Sequence, residues 1–425
     1  MTKDREPKGP SSRTKTPKKK LTSRRKFIAG AAAVPVVFAI VPRHVLGGPG
    51  FTAPSETFGG ALIGVGGRGP GTYRDLSKMH GLAIRDIARC DVKWVGKADN
   101  KTRYTDFRRL LDRKDIDVVA IATPPHWHAL ISIAAMEAGK DVVCEKPMTR
   151  FVAEGRAVAE VARRTKQIYQ VGTYGRFGRQ SKSHLETRKI IQNGFAKGRG
   201  VRILQRGGLK VRQWSGPLNV EPREVPDFLD WDMYCGPSPL KPFHPPRFGG
   251  MHRGYWDYDG GGFGDMGQHK FDPLAWEYGL DHTAPVKIEA SAPPAHPETA
   301  GMWGWVRLEY ADGTELVIES GEWGPGSGLE PKTISRSDLT AEEQARLDAL
   351  PDPEPLVGFG EAVKTRKQAG GNADVAHRTV CIMHLSNIAI RTGRKVRFDP
   401  ETEQILGDEQ ANRLANQPMR APWHL

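Results

Sequence analysis

Short apolar runs alternate with helical periodicity through the first half of this chain. Val118 to Ala122 is apolar and rich in β-branched residues, Thr123-Pro124-Pro125 breaks it, Ala129 to Ala138 has helical spacing, and Val142-Val143-Cys144 is apolar again. The pattern predicts a βαβ unit whose strands are buried on both faces of a parallel sheet, with Gly139 as the residue that ends the helix. Charged Glu145-Lys146-Pro147 follows at the end of the second strand, the side of such a sheet where ligands gather. Similar alternation predicts a strand from Phe58, a helix over Thr72 to Met79, a strand over Ile84 to Cys90 and a short helix over Phe107 to Asp112. Beyond Pro147 it predicts a helix capped by Thr149, with Val152, Val158 and Ala162 on one face, then a strand within Gln167 to Thr173.

After Thr173 the pattern changes. A helix over Ser181 to Asn193 stops at Gly194, and Val201 to Gln205 reads as a strand of a second domain. Residues 207 to 263 are rich in Gly, Pro, Trp and Tyr and have little periodicity; so long an irregular stretch is usually functional. Its aromatic residues Trp214, Trp231, Tyr234, Tyr255, Trp256 and Tyr258 suit either stacking on sugar rings or packing the loop against its domain. If Asp265 opens the following helix, Asp265 and His269 share one face, four residues apart. Trp303 to Tyr310 and Glu315 to Ser320 read as an antiparallel hairpin around Ala311-Asp312-Gly313-Thr314. Helices near Leu356 to Lys367 and over Asp374 to Arg391 precede an extended tail ending in Trp423.

At 425 residues, with 38% hydrophobic and 26% charged positions, the chain is long and apolar enough for two or three domains around a large core. The net charge of +14 does not point to nucleic acid: the first 26 residues hold eleven Lys or Arg against two acids and so carry nine of those charges. Within them Ser23-Arg24-Arg25-Lys26-Phe27-Ile28 matches the twin-arginine export pattern, and Ala29 to Val41 is too short and weakly apolar for a membrane span. Residues 1 to 50 therefore read as a twin-arginine signal and linker. They imply recognition by the twin-arginine machinery and a periplasmic protein exported folded, anchored to the membrane if the leader is not cleaved. Cys90, Cys144, Cys235 and Cys381 are scattered without a CxxC and read as reduced core residues.

The strand from Phe58 runs into Gly64-x-Gly66-x-x-Gly69, a spacing that permits a tight turn, close backbone approach to a pyrophosphate and close helix packing. Asp91, about 22 residues beyond the last glycine, is placed to bind the ribose hydroxyls of NAD; Asp99 is the alternative acid, and NADP the alternative cofactor. His126 and His128 lie in the loop after the Val118 strand. His377, Cys381 and His384 share a helical face but lack a fourth ligand, so a packed face is the better reading than zinc, and no metal site is assigned.

With the glycine turn, Glu145-Lys146-Pro147 and the Asp265 to His269 spacing in view, the chain from residue 58 onward resembles the Gfo/Idh/MocA oxidoreductases. The aromatic insert and the block GGGFGDMGQH resemble the exported branch of that family. The resemblance implies an α/β fold: a doubly wound parallel Rossmann sheet followed by an α+β domain with an open, mainly antiparallel sheet. It divides the chain into a nucleotide-binding domain over 51 to 173 and a substrate-binding and oligomerisation domain over 174 to 425, with a C-terminal helix and tail. The family's catalytic lysine, aspartate and histidine fall on Lys146, Asp265 and His269. Cofactor contacts fall on Gly64, Gly66, Gly67, Arg68, Gly69, Asp91, Thr123, Pro124, His128, Glu145 and Lys146.

Oxidising a sugar hydroxyl needs a base for the proton, and a histidine near its ordinary pKa suits that task. Lys146 would stabilise developing alkoxide character, and Asp265 would orient His269 or bind a neighbouring hydroxyl. Because the periplasm has no pool of free NAD(H), export implies a retained cofactor and a redox-neutral cycle. Either one sugar is oxidised and another reduced, or a transient keto-sugar allows an aglycone to be eliminated, as in NAD-dependent glycosidases. A sugar-binding protein without catalysis is the remaining alternative, and a homo-oligomer is expected.

Overall fold

The computed structural model describes residues 56–425, so the leader lies outside the described residues. Seven elements build the first sheet's scaffold: β1 (Thr57–Ile63), α1 (Gly69–Lys78), β2 (Ala83–Cys90), β3 (Arg103–Tyr104), α2 (Phe107–Leu111), β4 (Val118–Ile121) and α3 (His128–Glu137). β5 (Asp141–Cys144), α4 (Val152–Thr165) and β6 (Tyr169–Val171) complete it. All six strands are parallel in the order β3-β2-β1-β4-β5-β6, a doubly wound sheet whose order reverses between β1 and β4. The βαβ unit forms as expected: β4 and β5 are wholly buried, and Gly139 takes φ +79° after α3. Between Asp91 and β3 there is only one 3-10 turn, Val92–Trp94, in place of a full crossover helix.

Two local expectations are corrected. α1 begins at Gly69 rather than Thr72, because Pro70 presets the first helical turn. Thr149 does not cap α4: the cap position is Phe151, and Glu154 accepts instead from the Arg150 amide at 2.7 Å.

The second half contains α5 (Lys182–Gln192), β7 (Arg202–Arg206), α6 (Trp231–Cys235), α7 (Pro245–Phe248), α8 (Gln268–Glu277), β8 (Lys287–Ser291), β9 (Trp305–Glu309) and β10 (Glu315–Glu319). It continues with α9 (Ala341–Ala349), α10 (Phe359–Thr365), α11 (Ala373–Thr392), β11 (Val396–Asp399), β12 (Gln404–Ile405) and α12 (Glu409–Ala415). Its sheet has the order β12-β11-β8-β9-β10-β7, antiparallel except between β10 and β7. The predicted hairpin is β9 and β10, with Gly313 at φ +85° in its turn. Asp265 does not open its helix. The chain is already helical at Gly261, makes a π turn over Phe263–Gly267, and only then becomes α8.

The long irregular stretch has a small core of its own, built from Leu229, Trp231, Tyr234, Cys235, Phe243, Tyr255 and Tyr258. Most of its aromatic residues therefore pack against one another; Trp231 and Tyr234 stack at 5.0 Å. The C-terminal part returns to the first sheet, where Phe359, Ala362 and Val363 of α10 join Leu62, Val118 and Val143 in one apolar cluster. All four cysteines are buried and unpaired. His377 and His384 are buried on α11, spent on Glu403 at 2.7 Å and Thr149 at 3.2 Å.

Candidate active site

At the reversal point of the first sheet lies a cavity of about 670 Å³. One end is made by the glycine turn. A Cβ on Gly64 would stand 2.6 Å from the Ala122 backbone, and one on Gly69 would stand 2.0 Å from the Gly64 carbonyl oxygen, so the turn closes only with glycine at both. Gly66 and Gly67 line the cavity, and among the described residues no backbone acceptor is paired with their amides. Asp91, buried at the end of β2 and lining the cavity, accepts from the Val65 amide at 2.8 Å and the Lys93 amide at 2.9 Å, with Lys93 Nζ 3.9 Å from Oδ2, and each oxygen keeps a further lone pair. Asp99 stands elsewhere, exposed, accepting the amides of its own loop. The short connection thus leaves Asp91 as the carboxylate at the cavity. Open glycines, unpaired amides, a helix N-terminus and this carboxylate fit a dinucleotide.

The neighbouring expected residues divide into wall and support. Thr123, Pro124, Arg68, Glu145 and Lys146 line the cavity, and the buried Thr123 hydroxyl has no hydrogen-bond partner among the described residues. Glu145 is held by Thr72 Oγ1 at 2.5 Å and Arg68 Nε at 3.2 Å, so it ties β5 to the first turn of α1. Gly69 and His128 stand behind the wall. Buried His128 has Nδ1 2.6 Å from the Pro147 carbonyl and Nε2 2.8 Å from the Thr123 carbonyl, and so fastens the two loops that carry the site.

The cavity's other end is organised around Asp265. Its Oδ1 accepts from Lys146 Nζ at 2.9 Å and Arg253 Nε at 3.0 Å, and its Oδ2 from Trp214 Nε1 at 2.6 Å. Lys146 also donates to the Asp265 carbonyl. Burial pushes the Asp265 carboxyl up, but Lys146, Arg253 and Trp214 outweigh it and hold the group below its ordinary value. It makes no hydrogen bond to His269. Asp265 is therefore the anchor of three donors rather than the orienting group for the histidine. The π turn, a feature concentrated at functional sites, is what presents it to Lys146.

His269 faces the cavity from the first turn of α8. Its pKa is lowered, by burial first and by the Lys146 charge second, so the ring is neutral and able to accept a proton at neutral pH. Below α8, Arg176 is wholly buried between Asp272, at 2.6 Å, and Asp281, at 3.0 Å, and fixes the helix that carries His269.

Three residues of this wall escape a reading of spacing alone. Arg253 and His252 come from the irregular stretch, and Asp259 from its end. Asp259 is buried, and burial raises its carboxyl to about 7 against the opposing pull of the Gly260 amide, Arg253 and Lys146. Gly264 makes room for it, since a Cβ there would lie 1.7 Å from Asp259 Oδ1. The glycine-rich block preceding Asp265 was the available signal. Nothing in the local sequence marks Arg253.

The irregular stretch also closes over the nucleotide end. The Val95 amide donates to the Phe228 carbonyl at 3.2 Å, and the Asp230 amide to the Val92 carbonyl at 2.9 Å. Trp127, which lines the cavity, donates to the Met233 carbonyl at 3.0 Å. The C-terminal tail clamps this junction. Trp423 meets Trp127 edge-on at 4.7 Å, and Arg420 pairs with Asp232 at 2.6 Å.

Family models match nearly all of the described chain: residues 58–173 match the oxidoreductase family's NAD-binding Rossmann fold, and residues 182–425 its C-terminal alpha/beta domain, of the Gfo/Idh/MocA type. A levoglucosan dehydrogenase from Pseudarthrobacter phenanthrenivorans is 38% identical over 116 residues, 27% of this chain and 28% of that protein. A glycosyl hydrolase family 109 protein from Shewanella pealeana is 31% identical over 144 residues, 30% of this chain and 32% of that protein. The chain thus spans less than a third of the length of these curated relatives. The structure of the WlbA dehydrogenase from Chromobacterium violaceum, in complex with NADH and UDP-GlcNAcA, shares the fold with a TM-score of 0.51 at 18% identity, over 81% of this chain and 96% of that one.

Proposed function

The chain belongs to the Gfo/Idh/MocA family of oxidoreductases, and from that membership we propose that it transfers hydride between a carbohydrate hydroxyl carbon and a nicotinamide dinucleotide, NAD in the first instance. The observation that carries the reading is that Lys146, from the end of β5, and His269 line the cavity whose other end is the glycine turn, with Lys146 held by Asp265 at 2.9 Å. When bound, the dinucleotide takes up or returns the hydride. His269 accepts the hydroxyl proton as the carbon gives up hydride, and returns it in the reverse direction. Lys146 Nζ, fixed by both Asp265 acceptors, places a cation beside the oxygen as negative charge develops there. Asp265 holds Lys146, Arg253 and Trp214 in register, which keeps that donor in place before substrate arrives. Carboxylate Asp91 favours NAD, because it would repel a 2′-phosphate.

Similarity to the glycosyl hydrolase family 109 proteins supports a second reading, in which a transient keto-sugar permits cleavage of a glycosidic bond with no net redox change. The closure over the nucleotide end by the irregular stretch and tail is in keeping with a cofactor that stays bound through such a cycle. Location in the periplasm after twin-arginine export and assembly through the open sheet belong to the same proposal.

The test is turnover of a panel of free sugars and nitrophenyl glycosides by purified protein, followed at the nicotinamide absorbance and by phenol release. Net change of the nicotinamide supports the first reading, and phenol release without it supports the second. Lys146→Met and His269→Asn should each abolish either activity, with circular dichroism showing the fold retained. Wild-type turnover in both variants refutes the assignment. Because the His269 pKa is lowered, the acid limb of kcat/KM in the oxidative direction should fall below pH 6.5.

A further inference from the structure

We propose that Arg253 forms a carboxylate subsite, and that the carbohydrate acted on is a sugar acid or a uronate-bearing glycoside. The inference rests on the oxidoreductase reading for its site, though not for its test.

Proton and hydride transfer at a hydroxyl need one cation near the oxygen, and Lys146 supplies it. Arg253 is a second permanent cation on the same wall, brought in by a segment that the reaction itself does not require. Two of its donors are in use: Nε on Asp265 at 3.0 Å and Nη1 on the Gly250 carbonyl at 3.2 Å. Among the described residues Nη2 has no acceptor, although the guanidinium lines the cavity. The guanidinium carbon also stands 4.9 Å from the centre of the Trp214 ring, a cation–π contact that adds to the restraint on the side chain.

Charges around it favour an anion. Asp265, the counter-ion of both Lys146 and Arg253, is not among the residues that line the cavity. His252 beside Arg253 is neutral; of the carboxyls lining the cavity near Lys146 and Arg253, Asp259 is raised by burial and Glu145 is already paired with Arg68 at 3.2 Å. A wall showing two cations to the cavity, with their shared carboxylate outside its lining, attracts an anionic substituent and gains little from a neutral sugar. Nη2, the uncommitted nitrogen, can donate to a carboxylate oxygen.

The test is equilibrium binding to the protein as purified, read by tryptophan fluorescence with calorimetry as a check, using D-glucuronate, its methyl ester, D-glucose and glucose 6-sulfate. Glucuronate is expected to bind about 10- to 100-fold more tightly than the ester or glucose, as for one charge-assisted hydrogen-bonded contact. Arg253→Gln should erase that ratio and Arg253→Lys restore part of it, with circular dichroism and dinucleotide content confirming the fold. Equal binding of glucuronate and its ester, preference for the sulfate, or a ratio that survives Arg253→Gln overturns the subsite. Because binding needs no turnover, a uronate preference with neither nicotinamide reduction nor glycoside cleavage upholds the subsite and counts against the hydride-transfer reading. Reduction by neutral and acidic sugars alike, with equal affinities, does the reverse.

Discussion

Arg176→Met isolates the buried ion set beneath the catalytic helix. Arg176 is 1% exposed, and its partners Asp272 and Asp281 are 0% and 1% exposed. The guanidinium gives Asp272 three hydrogen bonds, Asp281 one and the Gly370 carbonyl one. Methionine keeps much of the volume but leaves two buried carboxylates and a carbonyl without their donor. Breaking a buried ion set by removing one partner costs about 3–5 kcal/mol, a large share of the ~5–15 kcal/mol that holds a typical protein folded. Urea denaturation at pH 7 should show that loss. Adding Asp272→Asn and Asp281→Asn should recover most of it, because the cost is uncompensated charge rather than lost packing. The pH dependence has a definite sign. In Arg176→Met the orphaned carboxylates have folded pKa values raised above their unfolded ones, so the folded state binds more protons and stability falls as pH rises through that window. The deficit against wild type should therefore be small below about pH 4 and complete near neutrality. A deficit under about 1 kcal/mol, or one independent of pH, refutes the view that these charges are paired for stability.

Asp259, raised to about 7 by burial, carries the same sign in the wild-type protein: its contribution falls as pH rises from about 4 to 7. Asp259→Asn should flatten that part of a stability profile measured by urea titration at stepped pH; an unchanged slope would mean that the group is not protonated in the folded state. Trp423→Ala removes an edge-on contact to Trp127 at 4.7 Å and the ring under Arg108 at 5.1 Å, together worth about 1–2 kcal/mol. Stopped-flow displacement of bound NADH should then show roughly tenfold faster release, and an unchanged rate would separate the tail from cofactor retention.

Local patterns determined much of this protein. β4, α3 and β5 follow from apolar runs, one breaker and one C-terminal glycine, because a continuous apolar strand is stable only where both its faces are covered, as in a parallel sheet. The glycine turn was legible for a like reason: close backbone approach is a property of residue type at fixed spacing. Lys146 was legible as a charge at the end of a buried strand. Other features depended on segments distant in sequence. Asp265 was placed at a helix start, yet it sits in a π turn whose shape answers to Lys146, more than a hundred residues away. Arg253 and Asp259 carry no periodic signal at all, and they matter because the irregular stretch folds over the cavity on a core of its own. Sequence alone thus decided which residue types stand at strand ends and turns, where the backbone restricts the choice. Only the tertiary structure decided how their charges are shared, since a carboxylate's role depends on which donors reach it.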